Sequence, residues 1–219
     1  MQAILIPVKN LTQAKRRLAG TMPQEARTRL ARAMLEDVFS ALAGMRTRVP
    51  VFVVSSDPTA LAAARARGWE CLPESTQHSE SRSVDAASRL CAARGITALL
   101  RLPIDIPLVR PADIEAVLAA CPAAPAAVLV PSRSANGTNA LLRTPPELFP
   151  SHFGPGSLQK HLEEAGRRRA YTRLLRNPRI ELDVDDEPDL RALATRKDVG
   201  EHTSAVLREL GLLRRAAHS

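Results

Sequence analysis

The chain has 219 residues, of which 45% are hydrophobic and 25% charged; this is the composition of a globular domain and excludes a disordered chain or a repetitive fibre. Lys and Arg outnumber Asp and Glu by 31 to 23, and the net charge of +8 indicates a polyanionic partner, either nucleic acid or a phosphorylated small molecule. Aromatic residues make up only 3%, which disfavours a protein that stacks the bases of a single strand.

Strands and helices alternate along the first half of the chain. The apolar run 3–8 predicts a strand buried on both faces. Thr21 and Gln24 form a capping-box pattern, which predicts that Thr21 caps the helix behind it. Further predicted strands lie at 49–54 and 70–72. Further predicted helices lie at 59–67 and 84–93, with a loop over 74–83 before the second of them.

The second half continues this alternation. Its predicted strands are 98–102, 127–130, 139–143 and 180–182. Its predicted helices are 111–120, 157–164, 187–196 and 201–213. We therefore expect one α/β domain over 1–213, with a mostly parallel sheet flanked by helices, and a frayed tail over 214–219. In such a fold, ligands bind at the carboxyl ends of the strands.

The segment after the first predicted strand is rich in cations: Lys9, Lys15, Arg16 and Arg17. Cations and backbone amides at the end of a strand can hold a polyphosphate. The segment lacks the glycines of a Walker A loop and of a G-x-G-x-x-G turn. It is therefore either a polyphosphate loop of another kind or a solvated basic loop.

Carboxylates follow two of the predicted strands. Asp105 comes directly after a fully apolar strand and is flanked by prolines. Asp183 and Asp185 point to the same side of an extended segment, and Asp186 is placed to cap the helix that follows. Mg²⁺ prefers oxygen ligands and usually takes one or two carboxylates from the protein together with substrate phosphates. The sequence therefore predicts a Mg²⁺ site.

Two polar segments offer hydroxyls and backbone amides: 136–139, and 153–157 at the start of a predicted helix. The amino end of a helix attracts phosphate. The five histidines show no H-x-x-x-H spacing and the chain has no G-x-S-x-G elbow, so a nucleophilic triad has no support. These segments are candidates for holding a phosphorylated substrate.

The apolar run at the start of the chain is too short for a signal sequence or a membrane span. The three cysteines are widely spaced and form no C-x-x-C pair. We therefore expect a soluble cytoplasmic protein. The oligomeric state stays open, a homodimer included.

Four stretches together resemble one known family, the CofC or FbiD guanylyltransferases, which make the phosphodiester precursor of coenzyme F-420. The stretches are Ile6–Lys9 with Ala14–Leu18, Leu102–Leu108, Gly137–Leu142 with Phe153–Ser157, and Leu182–Asp185. The resemblance extends from about residue 3 to residue 195. It implies a Rossmann-like nucleotidyltransferase fold and a Mg²⁺-dependent transfer of GMP from GTP to 2-phospho-L-lactate or phosphoenolpyruvate.

The resemblance also implies roles for individual residues. Asp105 and Asp185 correspond to metal ligands and catalytic groups, with Asp183 adjacent. Lys9 and Lys15 correspond to partners of the GTP triphosphate, and Lys15 is assigned to catalysis as well. The surplus positive charge of the chain would then serve to bring two polyanions together.

The implied cradle for the phosphoacid consists of Thr138, Gly154 and Ser157. The family's usual Gly-Leu-Asn-x-Ala segment is replaced here by residues 83–87, and we predict that Asp85 adds a contact to the acceptor. This substitution makes 3-phosphoglycerate a third candidate acceptor. The alternatives left open are a nucleotidyltransferase with another acceptor, as in molybdenum-cofactor synthesis, and a non-enzymatic basic protein that binds nucleic acid.

Overall fold

The computed structural model describes residues 1–74 and 79–213, and the predicted frayed tail, 214–219, lies outside these residues. The strands are β1 Gln2–Val8, β2 Val51–Ser55, β3 Glu70–Pro73, β4 Ala98–Arg101, β5 Ala126–Pro131, β6 Thr138–Thr144 and β7 Tyr171–Leu174. The helices are α1 Gln24–Ala43, α2 Pro58–Arg65, α3 Glu80–Ala93, α4 Pro111–Ala119, α5 Ser157–Arg167, α6 Glu187–Ala194 and α7 Glu201–Glu209. This is the predicted α/β class.

The strands form one seven-stranded sheet in the order β3-β2-β1-β4-β6-β5-β7. β1 pairs in parallel with both β2 and β4, and β2–β3 and β5–β7 are also parallel. Only β6 runs the other way, antiparallel to β4 and to β5. The carboxyl ends of β1, β4 and β5 and the amino end of β6 therefore meet at one edge of the sheet.

Helices cover both faces of the sheet because the strands are apolar on both sides. On one face of β1, Ile4 and Ile6 pack in a cluster with residues of α1, α2 and α4. On the other face, Ala3 and Leu5 pack in a cluster with residues of α3. Consecutive side chains of a strand point to opposite faces, so the continuous apolar run of β1 serves both layers.

Two expectations about helix starts are wrong. Residues 80–83, predicted as loop, form the first turn of α3, because the hydroxyl of Ser79 accepts a hydrogen bond from the Arg82 amide and caps the helix. Thr21 does not cap α1. The helix begins at Gln24 behind Pro23, which carries no side-chain cap.

The last strand also differs from the prediction. Residues 180–182 form a turn and bend rather than a strand, since the amides of Ile180 and Glu181 both donate to the carbonyl of Asn177. The strand that pairs with β5 on the side away from β6 is β7, at the edge of the sheet. Among the described residues, no helix is long and apolar enough to cross a membrane.

Candidate active site

A cavity of about 1270 Å³ opens at the edge where β1, β4 and β5 end and β6 begins. It is lined by residues from six segments, 7–17, 79–81, 101–105, 132–139, 153–157 and 183–189, and by Ala31, Met34 and Ser56. All four stretches that carry the family resemblance contribute to this lining. The sequence-predicted residues Lys9, Lys15, Asp105, Thr138 and Gly154 are among them.

The basic segment after β1 is held in a fixed shape by polar contacts within it and with residues outside it. The buried carboxylate of Asp57 caps α2 and also accepts the amide of Leu11, at 2.8 Å. Asn10 accepts the amide of Thr12. Lys15 has a left-handed backbone, with φ of 56°, and its carbonyl accepts a hydrogen bond from Arg27 of α1. The segment is therefore an ordered loop that presents Lys15 to the cavity.

Lys15 joins two of the predicted carboxylates. Its Nζ lies 2.7 Å from Asp105 Oδ2 and 3.1 Å from Asp185 Oδ1, and only 8% of its side chain is exposed. Burial works to lower the pKa of Lys15, but the two carboxylates outweigh it and raise this pKa. Burial likewise works to raise the pKa of Asp105, and the Lys15 ammonium holds it below its ordinary value. The cation and Asp105 are therefore both charged near neutral pH.

The two acidic segments are brought together through the backbone. The amide of Val184 donates to the carbonyl of Asp105 at 3.0 Å, which places the 183–185 segment beside the loop after β4. Asp186 caps α6, as predicted, by accepting the amide of Asp189. The segment is thus fixed at both ends.

Asp183 has surroundings different from those of Asp105. Its Oδ1 accepts a hydrogen bond from Asn139 Nδ2 at 3.1 Å. Burial, followed by the negative charges of Asp105 and Asp185, raises the pKa of Asp183 to about 6. The salt bridges of Lys15 are to Asp105 and Asp185.

This donor set fits Mg²⁺ only as a shared site. Within residues 1–74 and 79–213, no three His, Cys, Asp or Glu side chains are gathered into a metal site that the protein completes by itself. Asp105 and Asp185 nevertheless converge on one cation, the Lys15 ammonium. Two carboxylates with substrate phosphates and water form a normal environment for Mg²⁺. The residues present are therefore compatible with the ion.

The other predicted GTP partner, Lys9, is more accessible than Lys15. Its side chain is 62% exposed and lies 3.4 Å from Glu80. Arg17, 66% exposed, approaches Asp185 at 3.8 Å. Both cations line the cavity and remain accessible to a solute anion.

The predicted phosphoacid cradle is formed where β6 and α5 begin. Thr138 is the first residue of β6 and Ser157 the first of α5, and the amide of Thr138 donates to Ser157 Oγ at 2.8 Å. Gly154, with φ of +118°, lies in the loop just before α5, and its carbonyl accepts the Ser157 amide. The structure thus brings these three residues together at one wall of the cavity.

Asp85 has the contacts of a structural residue. Its carboxylate accepts the amide of Ser151 at 3.0 and 3.1 Å and faces the buried Arg143 at 3.5 Å. It is not among the described residues that line the cavity. Because its oxygens serve to hold the loop after β6, we do not include Asp85 in the acceptor site.

Sequence reasoning missed two residues near the cavity, Arg101 and His161, and placed Asn139 in a candidate segment without a role of its own. Arg101 packs against the Phe153 ring, 4.2 Å from its centroid, and pairs with Glu80. Asn139 donates to the carbonyls of residues 180 and 181 as well as to Asp183. His161 of α5 contacts Thr138. Arg101 and His161 are separated along the sequence from the groups they contact, so only the folded chain shows their proximity.

A model of the family described as guanylyl transferase CofC like matches residues 2–219. The chain belongs to this family. A phosphoenolpyruvate guanylyltransferase of Rubrobacter xylanophilus is 39% identical over 86% of this chain and 91% of its own length. The corresponding protein of Conexibacter woesei is 33% identical over 94% of this chain and 95% of its own length.

Solved structures show the same fold. A protein of Desulfovibrio desulfuricans assigned as a nucleotide-diphospho-sugar transferase superposes with a TM-score of 0.79 at 20% identity, covering 97% of this chain and 96% of its own. A nucleotidyl transferase from Methanothermobacter gives 0.60 at 14% identity, covering 95% and 99%. The predicted fold class is confirmed.

Family membership decides between the alternatives left open by the sequence. The chain is a guanylyltransferase, and GTP is its nucleotide substrate. The reading as a non-enzymatic nucleic-acid-binding protein is not supported. The surplus positive charge is compatible with an enzyme whose substrate is a nucleoside triphosphate.

Proposed function

We propose that this guanylyltransferase joins GMP to the phosphate of a small phosphoacid in the cavity described above. A phosphate oxygen of the acceptor attacks the α-phosphorus of GTP. The new oxygen–phosphorus bond forms as the bond to the β-phosphate bridging oxygen breaks, and pyrophosphate leaves. The product carries a diphosphate linkage between the guanosine and the acid.

One observation supports this assignment above the others. Asp105, Asp185 and Lys15 form a cluster of mixed charge beside the loop after β1. Thr138 and Ser157 line the same cavity. Carboxylates that can share a cation and hydroxyls that can donate to an anion are the two kinds of group that such a transfer requires. The cavity offers both, for two different substrates.

The reaction needs no general base from the protein. The second pKa of a phosphate monoester is about 6, so the attacking oxygen is already anionic near neutral pH. The barrier is instead electrostatic, because two polyanions must approach each other. We assign Lys15, Lys9 and Arg17 to the triphosphate, where they lower this repulsion and hold the α-phosphorus in reach of the acceptor.

The residues Asp105 and Asp185, with Asp183 adjacent, would hold Mg²⁺ together with the substrate phosphates. When bound, the ion supplies charge neutralisation and alignment of the phosphates. Lys15 occupies the space between the two carboxylates, and its ammonium balances their negative charge in the absence of substrates. Asn139 holds Asp183 at the side of this pair.

The acceptor is proposed as phosphoenolpyruvate, by analogy with the similarly named relatives. 2-Phospho-L-lactate and 3-phosphoglycerate are the other candidates. The argument for 3-phosphoglycerate from Asp85 is weakened, because that carboxylate is bonded to Ser151. The product would enter coenzyme F-420 synthesis, as the family resemblance implies.

The test is pyrophosphate release by the purified enzyme with each of four nucleoside triphosphates and each of the three phosphoacids. We expect release only with GTP and most strongly with phosphoenolpyruvate. A matched reaction without phosphoacid controls for simple hydrolysis of GTP. Pyrophosphate release that does not depend on any phosphoacid would overturn the proposal, and a preference for another nucleotide would overturn its nucleotide half.

A further inference from the structure

A buried histidine, His161, lies behind the acceptor cradle. Its side chain is fully buried, between Phe149 and Phe153, with ring centroids 6.0 and 5.2 Å away. Both ring nitrogens are hydrogen bonded: Nε2 accepts the amide of His152 at 2.9 Å, and Nδ1 lies 3.0 Å from Thr138 Oγ1. No step of the proposed reaction uses this residue.

These two contacts fix the tautomer of the ring. A backbone amide can only donate, so Nε2 must be the unprotonated nitrogen that accepts it. In a neutral imidazole the proton then sits on Nδ1. His161 Nδ1–H therefore donates to Thr138 Oγ1, and the hydroxyl acts as the acceptor in this contact.

The tautomer in turn decides what Thr138 can offer. A hydroxyl has one proton, and with His161 as the donor that proton must point elsewhere. Thr138 lines the cavity, and among the described residues its hydroxyl has no other partner. Ser157 is in the same position, because its Oγ accepts the Thr138 amide and its own proton has no acceptor among the described residues.

We propose that His161 is a positioning residue that makes the Thr138 hydroxyl a donor, so that Thr138 and Ser157 together present two O–H groups to an anionic oxygen of the acceptor. This inference rests on the proposed function, since it takes the acceptor to bind at these two residues. His161 touches neither substrate. It acts through the direction of one hydrogen bond.

Two substitutions separate this role from packing. The Nδ2 of an asparagine occupies nearly the place of His161 Nδ1, so His161→Asn keeps a donor to Thr138 and loses the contact to His152. The longer glutamine reaches the place of Nε2, so His161→Gln keeps an acceptor for His152 and loses the donor to Thr138. If His161 served only packing, both substitutions would lower the stability of the protein and leave the KM for the acceptor unchanged.

We expect His161→Gln to raise the KM for phosphoenolpyruvate about tenfold, because the Thr138 hydroxyl is no longer held as a donor and its hydrogen bond to the charged acceptor weakens, with an unchanged KM for GTP. His161→Asn should stay within about threefold of wild type, the usual scatter of such contributions. In a Thr138→Val background, which lacks the hydroxyl, His161→Gln should have no further effect on this KM. Equal KM values for the Asn and Gln variants, or an additive effect with Thr138→Val, would overturn the proposal.

A nitrogen NMR spectrum of the histidine side chains tests the tautomer without any activity. The signals of His161 are assigned through their bonds to its own backbone in isotope-labelled wild-type protein, which should show Nδ1 protonated and Nε2 not. Protonation at Nε2 would contradict the inference even if both variants failed to fold. If wild type turns over no phosphoacid while the expected tautomer is seen, the proposed function fails and the positioning of the hydroxyl stands.

Discussion

Among the individual residues of the site, Lys15 balances the charge of the carboxylates. It is the buried cation between Asp105 and Asp185, whereas Lys9, the other predicted GTP partner, is largely exposed. Without Lys15, the negative charges of the two carboxylates would not be balanced, and they would repel the triphosphate of GTP.

Lys15→Ala should therefore raise the KM for GTP by tenfold or more, since a charge-assisted contact is worth roughly 1.5–3 kcal/mol, and should change the KM for the phosphoacid less. Lys9→Ala is the matched control and should have the smaller effect, because an exposed ion is well screened. Steady-state kinetics with each substrate varied in turn measures both. An unchanged KM for GTP in Lys15→Ala would assign the loop to the solvated surface.

Ser157 has a structural contact and a proposed contact to the acceptor, and two measurements on one variant separate them. Its Oγ accepts the Thr138 amide, and its own proton has no acceptor within the part of the chain that the structure describes. Ser157→Ala should raise the KM for the phosphoacid about tenfold and leave that for GTP unchanged. It should also lower the free energy of unfolding by roughly 1–3 kcal/mol, because the buried Thr138 amide loses its acceptor. A loss of stability with no change in KM would mean that the serine is structural only.

The candidate residues could be found in the sequence because strand ends and prolines mark them. Asp105 and Lys15 follow apolar runs that had to be buried strands, and such strand ends meet at one edge. The salt bridges between them could not be predicted, since 90 residues of chain separate the two. His161 gave no signal, because a lone histidine in a helix is not distinguished by spacing.

At the scale of elements, apolar periodicity predicts the buried parts of the fold and fails at exposed ones. β7 is an edge strand with Tyr171 and Leu174 about half exposed or more, so it shows no buried alternation. Residues 180–182 are buried without being a strand, and the amides of Ile180 and Glu181 are hydrogen bonded within a turn. A buried segment can be predicted from its apolar residues. Whether its backbone pairs with a neighbouring strand depends on the assembled sheet.

α7 is attached to the rest of the fold through a carboxylate of α1. Asp37 accepts the amides of His202 and Thr203 at 2.9 and 2.8 Å. A Cβ placed on Gly200 would overlap this carboxylate, while one on Gly166 of α5 would meet nothing within 4 Å. Glycine is therefore required at position 200 by space rather than by backbone angle.

Gly200→Ala should lower the free energy of unfolding by about 1–3 kcal/mol, because Asp37 must move and the cap of α7 weakens. Gly166→Ala is the control and should be neutral or stabilising by up to about 1 kcal/mol, since alanine favours a helix. Urea unfolding of both variants gives the comparison. Equal stability of the two would show that α7 tolerates a shift of its first turn.

The stability of the folded protein depends on pH through His161 of α5. Burial, and then the charge of Arg143, lowers the pKa of His161 to about 3, against about 6.5 in an unfolded chain. Between these values the unfolded state binds a proton at this residue and the folded state does not. His161 therefore opposes folding as the pH falls from about 6.5 toward 3, and stability rises with pH in this window.

His161→Asn should flatten this dependence. The difference in unfolding free energy between wild type and variant should change by up to about 1.4 kcal/mol per pH unit below pH 6, the value for one proton. Urea unfolding from pH 4.5 to 7.5 measures it, and the exposed His202 offers the control variant, His202→Asn. Identical slopes for wild type and His161→Asn would show that the ring is protonated in the folded protein.

In the molecule as a whole, one cavity combines two polar regions with different chemistry. The loop after β1 lines it with cations and the junction of β6 with α5 lines it with hydroxyls; we propose the first region for the triphosphate and the second for the acceptor. Asp105 and Asp185 lie with Lys15, on the side of the loop after β1. The reversed direction of β6 brings Thr138, its first residue, to the edge where the parallel strands end.

We propose above all that Asp105 serves the formation of a new diphosphate linkage in this cavity. Phosphorus NMR of a mixture of GTP, phosphoenolpyruvate and Mg²⁺ detects that linkage directly. We predict two coupled signals of the product, together with pyrophosphate, for the wild-type enzyme, and a rate lower by about 10³ for a folded Asp105→Asn, which loses several kcal/mol of charge stabilisation. Product formation by Asp105→Asn at a nearly normal rate, or wild-type turnover without a new diphosphate signal, would contradict it.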